Sequence, residues 1–295
     1  MRTLKLKTPA KINLYLSIEG ISSDGYHKIK SLMQTISLYD IITIEEIKSS
    51  AIRIECNTPG VPLDESNTVY KAVNYIKTNF NINKGLKINI EKNIPVCAGL
   101  AGGSSNAAGV IYGLNHIWKL KMSEEELQEI CSKIGADVYF CLKGGLALAK
   151  GKGEILEKIE IDLDIFVIVV KPPFMISTSW CYNEFDNIKT TQIEKPDINE
   201  LIEKLKNKDL KNINNYLYND LEIPVSKHFY QINHLKTVLQ EYGAFASLMT
   251  GSGSSIFGFF NDFETAKFAL SKLLYEQDIE FVGIYNFVKN NPILF

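Results

Sequence analysis

The chain has 295 residues, of which 45% are hydrophobic and 22% charged, a composition that excludes disordered, collagenous and disulfide-scaffold proteins. Lys and Arg number 32 against 34 Asp and Glu, a formal charge of −2, which argues against a protein that lives on nucleic-acid phosphates. At this length one large domain or two are expected.

Residues 4–18 read as a strand. From Ala10 onward Ile12, Leu14, Leu16 and Ile18 fall on one face, and Lys11, Asn13, Tyr15 and Ser17 on the other. Strands are also predicted at 35–45, 52–56 and 87–90. Residues 68–79 have helical spacing at Val69, Ala72, Val73 and Ile76. A glycine-rich stretch, 94–106, then enters a helix whose buried stripe is Ala107, Val110, Ile111, Leu114, Ile117 and Trp118. Ser123 with Glu126 forms a capping box for the next helix, and Gly135 is its stop. Residues 144–149 and 166–170 read as strands with Lys150-Gly-Lys-Gly153 turning between them, and Pro172-Pro173 breaks the chain. Helices at 198–206, 227–242 and 263–274 and strands at 246–249, 256–260 and 281–288 follow. The pattern is α+β in two lobes, with the boundary near 155–170. Trp118 and the run Phe257 to Phe260 belong to the core, and residues 204–215 to a solvated surface.

Five scattered cysteines, without a CxxC pair, support neither a zinc ribbon nor a thioredoxin-type site and read as reduced thiols in the cytoplasm. No apolar signal core follows Met1, and the most apolar run, residues 165–170, is about a third of a membrane span. An intracellular, soluble protein is expected.

The loop Gly99-Leu-Ala-Gly-Gly-Ser-Ser-Asn106 carries the clearest chemistry. Glycines let a main chain turn its N–H groups inward and leave a ligand room to approach. The helix that follows adds unpaired N–H groups and the positive end of its dipole. Together they make a seat for a polyphosphate, the plainer alternative being a tight turn with a Ser N-cap. Ser104 and Ser105 can offer hydroxyls to phosphate oxygens or to Mg2+. No Lys-Ser/Thr pair follows the glycines, so this is not a Walker A loop, nor does it match GxGxxG. Lys11 and Asn13, two apart on a strand, point the same way roughly 6–7 Å apart, toward solvent or into a cleft.

The stretch Pro95-Val-Cys-Ala-Gly-Leu-Ala-Gly-Gly-Ser-Ser-Asn106 resembles the central motif of the GHMP kinases. Pro9-Ala-Lys-Ile-Asn-Leu14 resembles their first motif and Leu248-Met-Thr-Gly-Ser-Gly-Ser-Ser-Ile-Phe257 their third, so the resemblance spans the chain. Within the family, Asp24-Gly-Tyr-His27 and Gly135-Ala-Asp-Val138 are similar to the branch that acts on a cytidine diphosphate-linked polyol. The resemblance implies a two-lobe GHMP kinase fold. Residues 1–160 would form an ATP-binding lobe like domain 2 of a small-subunit ribosomal protein, and 161–295 a ferredoxin-like lobe that completes the substrate site. It implies ATP-dependent phosphorylation of the 2-hydroxyl of 4-diphosphocytidyl-2-C-methyl-D-erythritol, in non-mevalonate isoprenoid precursor biosynthesis. Mg2+ would be carried by the ATP phosphates, with Ser104 or Ser105 as possible ligands. The partner is this small molecule, with no nucleic acid and no membrane, and the chain is a monomer or homodimer. Other readings are a homoserine- or mevalonate-type kinase, or a catalytically silent nucleotide or sugar sensor.

By the same resemblance Pro95, Gly99, Leu100, Ala101, Gly102, Gly103, Ser104, Ser105 and Asn106 hold ATP. Asn67 lies near the adenine, with helix N-capping as its equal alternative. Lys11 sits beside the reacting hydroxyl and Asp137 accepts its proton, unless Asp137 only caps the short helix after Gly135. Tyr26 stacks on the cytosine, His27 reads its polar edge, and Asn13 shares the substrate site. Thr178 and Tyr182, four apart and so on one helical face, flank the base from the other side. Thr250, Gly251, Ser252 and Gly253 close the floor, or else form a plain hairpin turn. Tyr139 stands where relatives have Pro, two positions after the Asp, and Cys97 lies beside the phosphate loop.

Overall fold

The chain begins with two long antiparallel strands, β1 (Thr3–Ile21) and β2 (His27–Ile47). After them come β3 (Ile52–Cys56), α1 (Thr68–Asn79), β4 (Gly85–Glu91), α2 (Gly102–Trp118), α3 (Glu124–Ile134) and α4 (Val138–Lys143). The middle of the chain forms β5 (Leu146–Lys150), β6 (Ile155–Ile159), β7 (Phe166–Lys171), α5 (Thr178–Asn187) and α6 (Ile198–Lys206). The rest forms β8 (Tyr218–Asn219), α7 (Glu222–His228), α8 (Gln231–Glu241), β9 (Ala246–Met249), β10 (Ile256–Phe260), α9 (Phe263–Leu273) and β11 (Phe281–Asn286). This computed structural model describes residues 2–188, 194–289 and 293.

Among the described residues the strands make two sheets. The first runs β3-β4-β2-β1-β8, with β5 on β2 and β6 on β5; the second is antiparallel in the order β11-β7-β10-β9. Three apolar layers separate four layers of structure. One face of the first sheet packs under α1 to α4 through Leu6, Ile42, Ile88, Val73, Ile111 and Phe140. The two sheets meet through Ile12, Leu14, Ile36, Val167, Val169 and Phe259, with α6 closing one end. The outer face of the second sheet is covered by α5, α7, α8 and α9 through Val170, Phe185, Val225, Leu235 and Ala269. Where both covers are present the strands read as near-continuous apolar runs, whereas β3 and β6 keep exposed residues.

The first strand shows the consequence. Every residue from 8 to 17 is buried, so the polar face predicted for Lys11 and Asn13 does not look into solvent. A register shift between Asn13 and Tyr15 also breaks the predicted alternation. Tyr15 joins Ile12 and Leu14 between the sheets, while Leu16 packs in the outer layer with Ile168 and Val170. One inserted residue moves every later side chain to the other face.

Other differences are local. The second strand starts at His27 because it pairs with the far end of β1, a long-range partner that propensity does not register. β6, absent from the sequence reading, pairs with β5 across the predicted 150–153 turn. The helix expected over 227–242 is two, separated at Phe229 and Tyr230. The capping box at Ser123 and Glu126 forms as predicted, as does the stop at Gly135. No helix among the described residues is long and apolar enough to cross a membrane.

Candidate active site

The glycine-rich loop is bare at the point where a helix is normally capped. The N-cap of α2 is Ala101, left-handed at φ 57, and no side chain bonds the first turn. The first intrahelical bond is Ser105 N–H to Ala101 C=O, 2.9 Å, so the N–H groups of Gly102, Gly103 and Ser104 have no partner within the helix. No acidic residue stands in that turn. Uncapped donors and an uncompensated dipole end favour an anion.

The loop is held from outside. Cys97 (φ 52) and Ala101 are left-handed without being glycine, a cost of about 1 kcal/mol or more each that surrounding contacts must offset. Lys11 N–H donates to Leu100 C=O at 3.2 Å and Ser255 N–H to Ala98 C=O at 3.3 Å. Gly99 (φ 72) lies against Thr250, so closely that a Cβ would overlap the Thr250 carbonyl oxygen.

Beneath the loop is a buried polar cluster that the sequence reading did not find. Asp40 is fully buried and accepts hydrogen bonds from Asn93 N–H at 2.7 Å, Ile94 N–H at 2.8 Å and Asn106 Nδ2 at 2.8 Å. It is also ion-paired with Lys92, itself nearly buried. Asn106 Nδ2 donates further to Thr8 Oγ1 at 3.0 Å. The Asn106 amide is therefore taken up by the fold, although the residue borders the cavity. Ser105 requires a correction. Its hydroxyl is fully buried and donates to Pro9 C=O at 2.6 Å, and it does not border the cavity. It is a packing group, and Ser104 is the serine left to meet a phosphate or a metal.

Lys11 and Asp137 come together. Lys11 Nζ lies 3.6 Å from Asp137 Oδ2 and donates to Asn13 Oδ1 at 2.5 Å. Asp137 occupies the cap position of α4 yet makes no side-chain cap bond, so the capping alternative fails and its carboxylate is free for the cleft. Asn13 Nδ2 donates to Ser31 Oγ at 2.8 Å, and its N–H to Thr250 Oγ1 at 2.9 Å. Thr250 is buried and does not border the cavity. Its role is to hold Asn13, and Gly253 likewise lies behind the wall that Gly251 and Ser252 form. Burial, with the Asp137 charge nearby, pushes the Cys141 thiol up. Tyr139, at the expected Pro position, is buried in α4 and donates its hydroxyl to Glu124. It fills the core, and α4 keeps a helical start at Asp137.

At another part of the wall are the aromatic residues. The His27 and Tyr182 rings are 4.6 Å apart at 32°, and Thr178 Oγ1 is 3.0 Å from Ser252 Oγ. Tyr26 is exposed, under the Lys152 ammonium at 4.3 Å. Burial, then the Asp137 charge, raises the Tyr182 phenol above its ordinary value, so it stays neutral. Asn67 caps α1, accepting from Val69 N–H at 2.8 Å and donating to Pro62 C=O at 2.5 Å. Its amide is thus engaged by its own chain, although it borders the cavity.

One cavity of about 1440 Å³ joins these parts: Lys11, Asn13, Asp137, the 95–104 loop, Tyr26, His27, Thr178 and Tyr182 all border it. Asp40, Lys92 and Asp186, which bonds His27, are the residues missed; the four-residue step from Tyr182 to Asp186 is the one sequence signal that could have found any of them.

Family models match in two places: that of the GHMP kinases N terminal domain over residues 67–145 and that of the GHMP kinases C terminal over 201–277. The 4-diphosphocytidyl-2-C-methyl-D-erythritol kinase of Alkaliphilus metalliredigens is 42% identical over 279 residues, 94% of this chain and 95% of that protein. The enzyme of the same name from Clostridioides difficile is 44% identical over 278 residues, 93% and 92% of the two chains. A solved 4-(cytidine 5'-diphospho)-2C-methyl-D-erythritol kinase superposes with a TM-score of 0.80 at 27% identity, over 96% of this chain and 99% of that one. A homoserine kinase from Cytophaga hutchinsonii shares the fold, with a TM-score of 0.76 at 20% identity. Matched in both its halves and along nearly its whole length, the chain belongs to the GHMP kinase family.

Proposed function

We propose that this protein transfers the terminal phosphoryl group of ATP to the 2-hydroxyl of 4-diphosphocytidyl-2-C-methyl-D-erythritol. The observation that carries the reading is the Lys11–Asp137 pair at 3.6 Å, set in the same cavity as an uncapped helix N-terminus and the His27–Tyr182 ring pair. The names of the relatives point to the same substrate. Residues 1–160 supply the nucleotide seat, and residues 161–295 complete the substrate site.

The N–H groups of Gly102, Gly103 and Ser104 bind the phosphates. The first turn of α2 suits a polyphosphate, having neither a side-chain cap nor an acid. Mg2+ would reach the site on the phosphates, with Ser104 as the protein hydroxyl at hand, and would offset their charge. Asp137 accepts the proton of the substrate hydroxyl as its oxygen bonds to phosphorus and the bond to ADP breaks. A loose transition state asks for little early deprotonation of the hydroxyl, so a carboxylate suffices as the acceptor. Lys11 steadies the charge growing around the transferred group. Tyr26, His27 and Tyr182 hold the cytidine. The reduced cysteines accord with work in the cytoplasm.

A coupled ADP-release assay with the cytidine-linked polyol, homoserine and mevalonate tests the reading. The cytidine compound alone should turn over, and Asp137→Asn should lose several orders of magnitude in kcat while still binding ATP. Faster turnover of homoserine or mevalonate would reassign the substrate. Binding without ADP release would make the protein a sensor.

A further inference from the structure

α5 presents Thr178, Tyr182 and Asp186 at four-residue intervals, a single stripe along the helix. The first two border the cavity and Asp186 does not, yet its Oδ1 lies 2.8 Å from Nε2 of His27, which does. Tyr182 packs on the same imidazole, 4.6 Å between centroids. Successive turns of one helix therefore fix one ring: Tyr182 sets its plane and Asp186 its rotation within that plane. An ionised carboxylate can only accept a hydrogen bond. The contact places the proton of a neutral imidazole on Nε2 and leaves the lone pair on Nδ1.

We propose that Asp186 is a positioning residue that makes His27 a hydrogen-bond acceptor at Nδ1, and so selects a pyrimidine with an amino group at ring position 4 over one with a keto group. The inference rests on the cytidine reading above. Cytosine and uracil have nearly the same size and stacking face, so Tyr26 and Tyr182 cannot separate them. They differ in the polarity of one edge: cytosine carries a donor at position 4 and an acceptor at position 3, and uracil the reverse. An Nδ1 lone pair meets the amino group, whereas against a keto oxygen two acceptors face each other and neither is satisfied. Lys152, which also borders the cavity, is held by Asp24 and lies over the Tyr26 ring.

Asp186 has a half-open side chain, 41% exposed, against 16% for His27, so its replacement is a mild structural change. In Asp186→Asn the amide can offer Nε2 either its oxygen or its NH2, and both tautomers of His27 become available. The experiment compares kcat/KM for the cytidine-linked polyol and its uridine-linked analogue in the wild type, Asp186→Asn and Asp186→Glu, beside 15N spectra of the His27 ring without substrate. The preference of the wild type for cytidine should fall about 10- to 100-fold in Asp186→Asn, return largely in Asp186→Glu, and leave the melting temperature unchanged. The spectrum should show the Nε2–H tautomer in the wild type and a mixture in Asp186→Asn. Unchanged discrimination in an enzyme that does use the cytidine compound overturns this inference alone, as does a wild-type Nδ1–H tautomer. A wild type that fails on the cytidine compound overturns the functional reading and the selection with it.

Discussion

Gly99 and Gly103 lie four residues apart in the same loop and should respond oppositely to a methyl group. Gly99 has φ 72, and a Cβ there would overlap the Thr250 carbonyl oxygen while sitting 3.0 Å from its carbon and 3.1 Å from the Gly253 nitrogen. All three are backbone atoms, which cannot swing away like a side chain. The left-handed conformation costs an L-residue about 1–2 kcal/mol, and forcing apart a packed contact adds about 1–3 kcal/mol. Gly99→Ala should therefore lose about 2–5 kcal/mol, or about 4–10 °C in melting temperature for a chain of this size. At Gly103 the nearest atom to a Cβ is Thr68 Oγ1 at 3.5 Å, ordinary contact, and no left-handed φ is involved. Alanine in a helix is favoured over glycine by about 0.5–1 kcal/mol, so Gly103→Ala should melt at the wild-type temperature or slightly above. Its effect should fall on the nucleotide, since a methyl on the first turn occupies the space through which a phosphate approaches the main chain. KM for ATP should rise about tenfold or more. Calorimetry and steady-state kinetics on the two variants read both effects. A Gly99→Ala protein melting within about 1 °C of wild type would refute the packing of the loop on Thr250. An unaltered KM in Gly103→Ala would refute the phosphate seat.

Lys11→Ala should lower kcat about 10²- to 10³-fold and leave nucleotide affinity by fluorescence titration near wild type; a pure loss of affinity would move Lys11 from the reacting centre to the phosphate seat. Asp40→Asn strands the nearly buried Lys92 ammonium and should cost about 3–5 kcal/mol in urea unfolding, and a loss below about 1 kcal/mol would mean that water reaches the pair. Burial pushes the Cys131 thiol up to about 12 from its ordinary 9.0. Above pH 9 the unfolded thiol therefore releases a proton that the native one keeps, and stability falls as pH rises from 9 toward 12. Cys131→Ala should make that decline shallower between pH 9 and 11, the buried Cys141 and Cys181 thiols accounting for part of the rest. An equal slope in both proteins would show that the Cys131 thiol is not a source.

Much of the fold was legible because it is written locally. The helix at 68–79 and the strand at 52–56 announce themselves by period, and the capping box at Ser123 by spacing. What sequence could not show depends on partners far along the chain. Asp40 meets Lys92 across 52 residues and Asn106 across 66. Nothing near Asp40 distinguishes it from a turn acid. Ser105 stands in the first turn of α2, where the sequence allows its hydroxyl to meet a phosphate; it turns inward because β1 passes beneath and offers the Pro9 carbonyl. His27 and Asp186 are 159 residues apart, so the orientation of the ring depends on where α5 docks.

The bulge in β1 is the feature that lets one strand serve two purposes. Before it, Lys11 and Asn13 turn their polar side chains to the cleft while Ile12 and Leu14 pack between the sheets; after it, Tyr15 joins the inter-sheet layer and Leu16 the outer one. A regular strand could not do both, since its faces alternate without exception. The polar residues buried around the bulge are compatible with folding because they bond one another: Ser31 to the Tyr15 carbonyl, Asn13 to Ser31 and Thr250, Lys11 to Asn13 and Asp137. A chain of bonds so placed holds the ammonium and the carboxylate in position before any substrate arrives, which is the condition under which fixed charges lower a barrier instead of reorganising during the reaction.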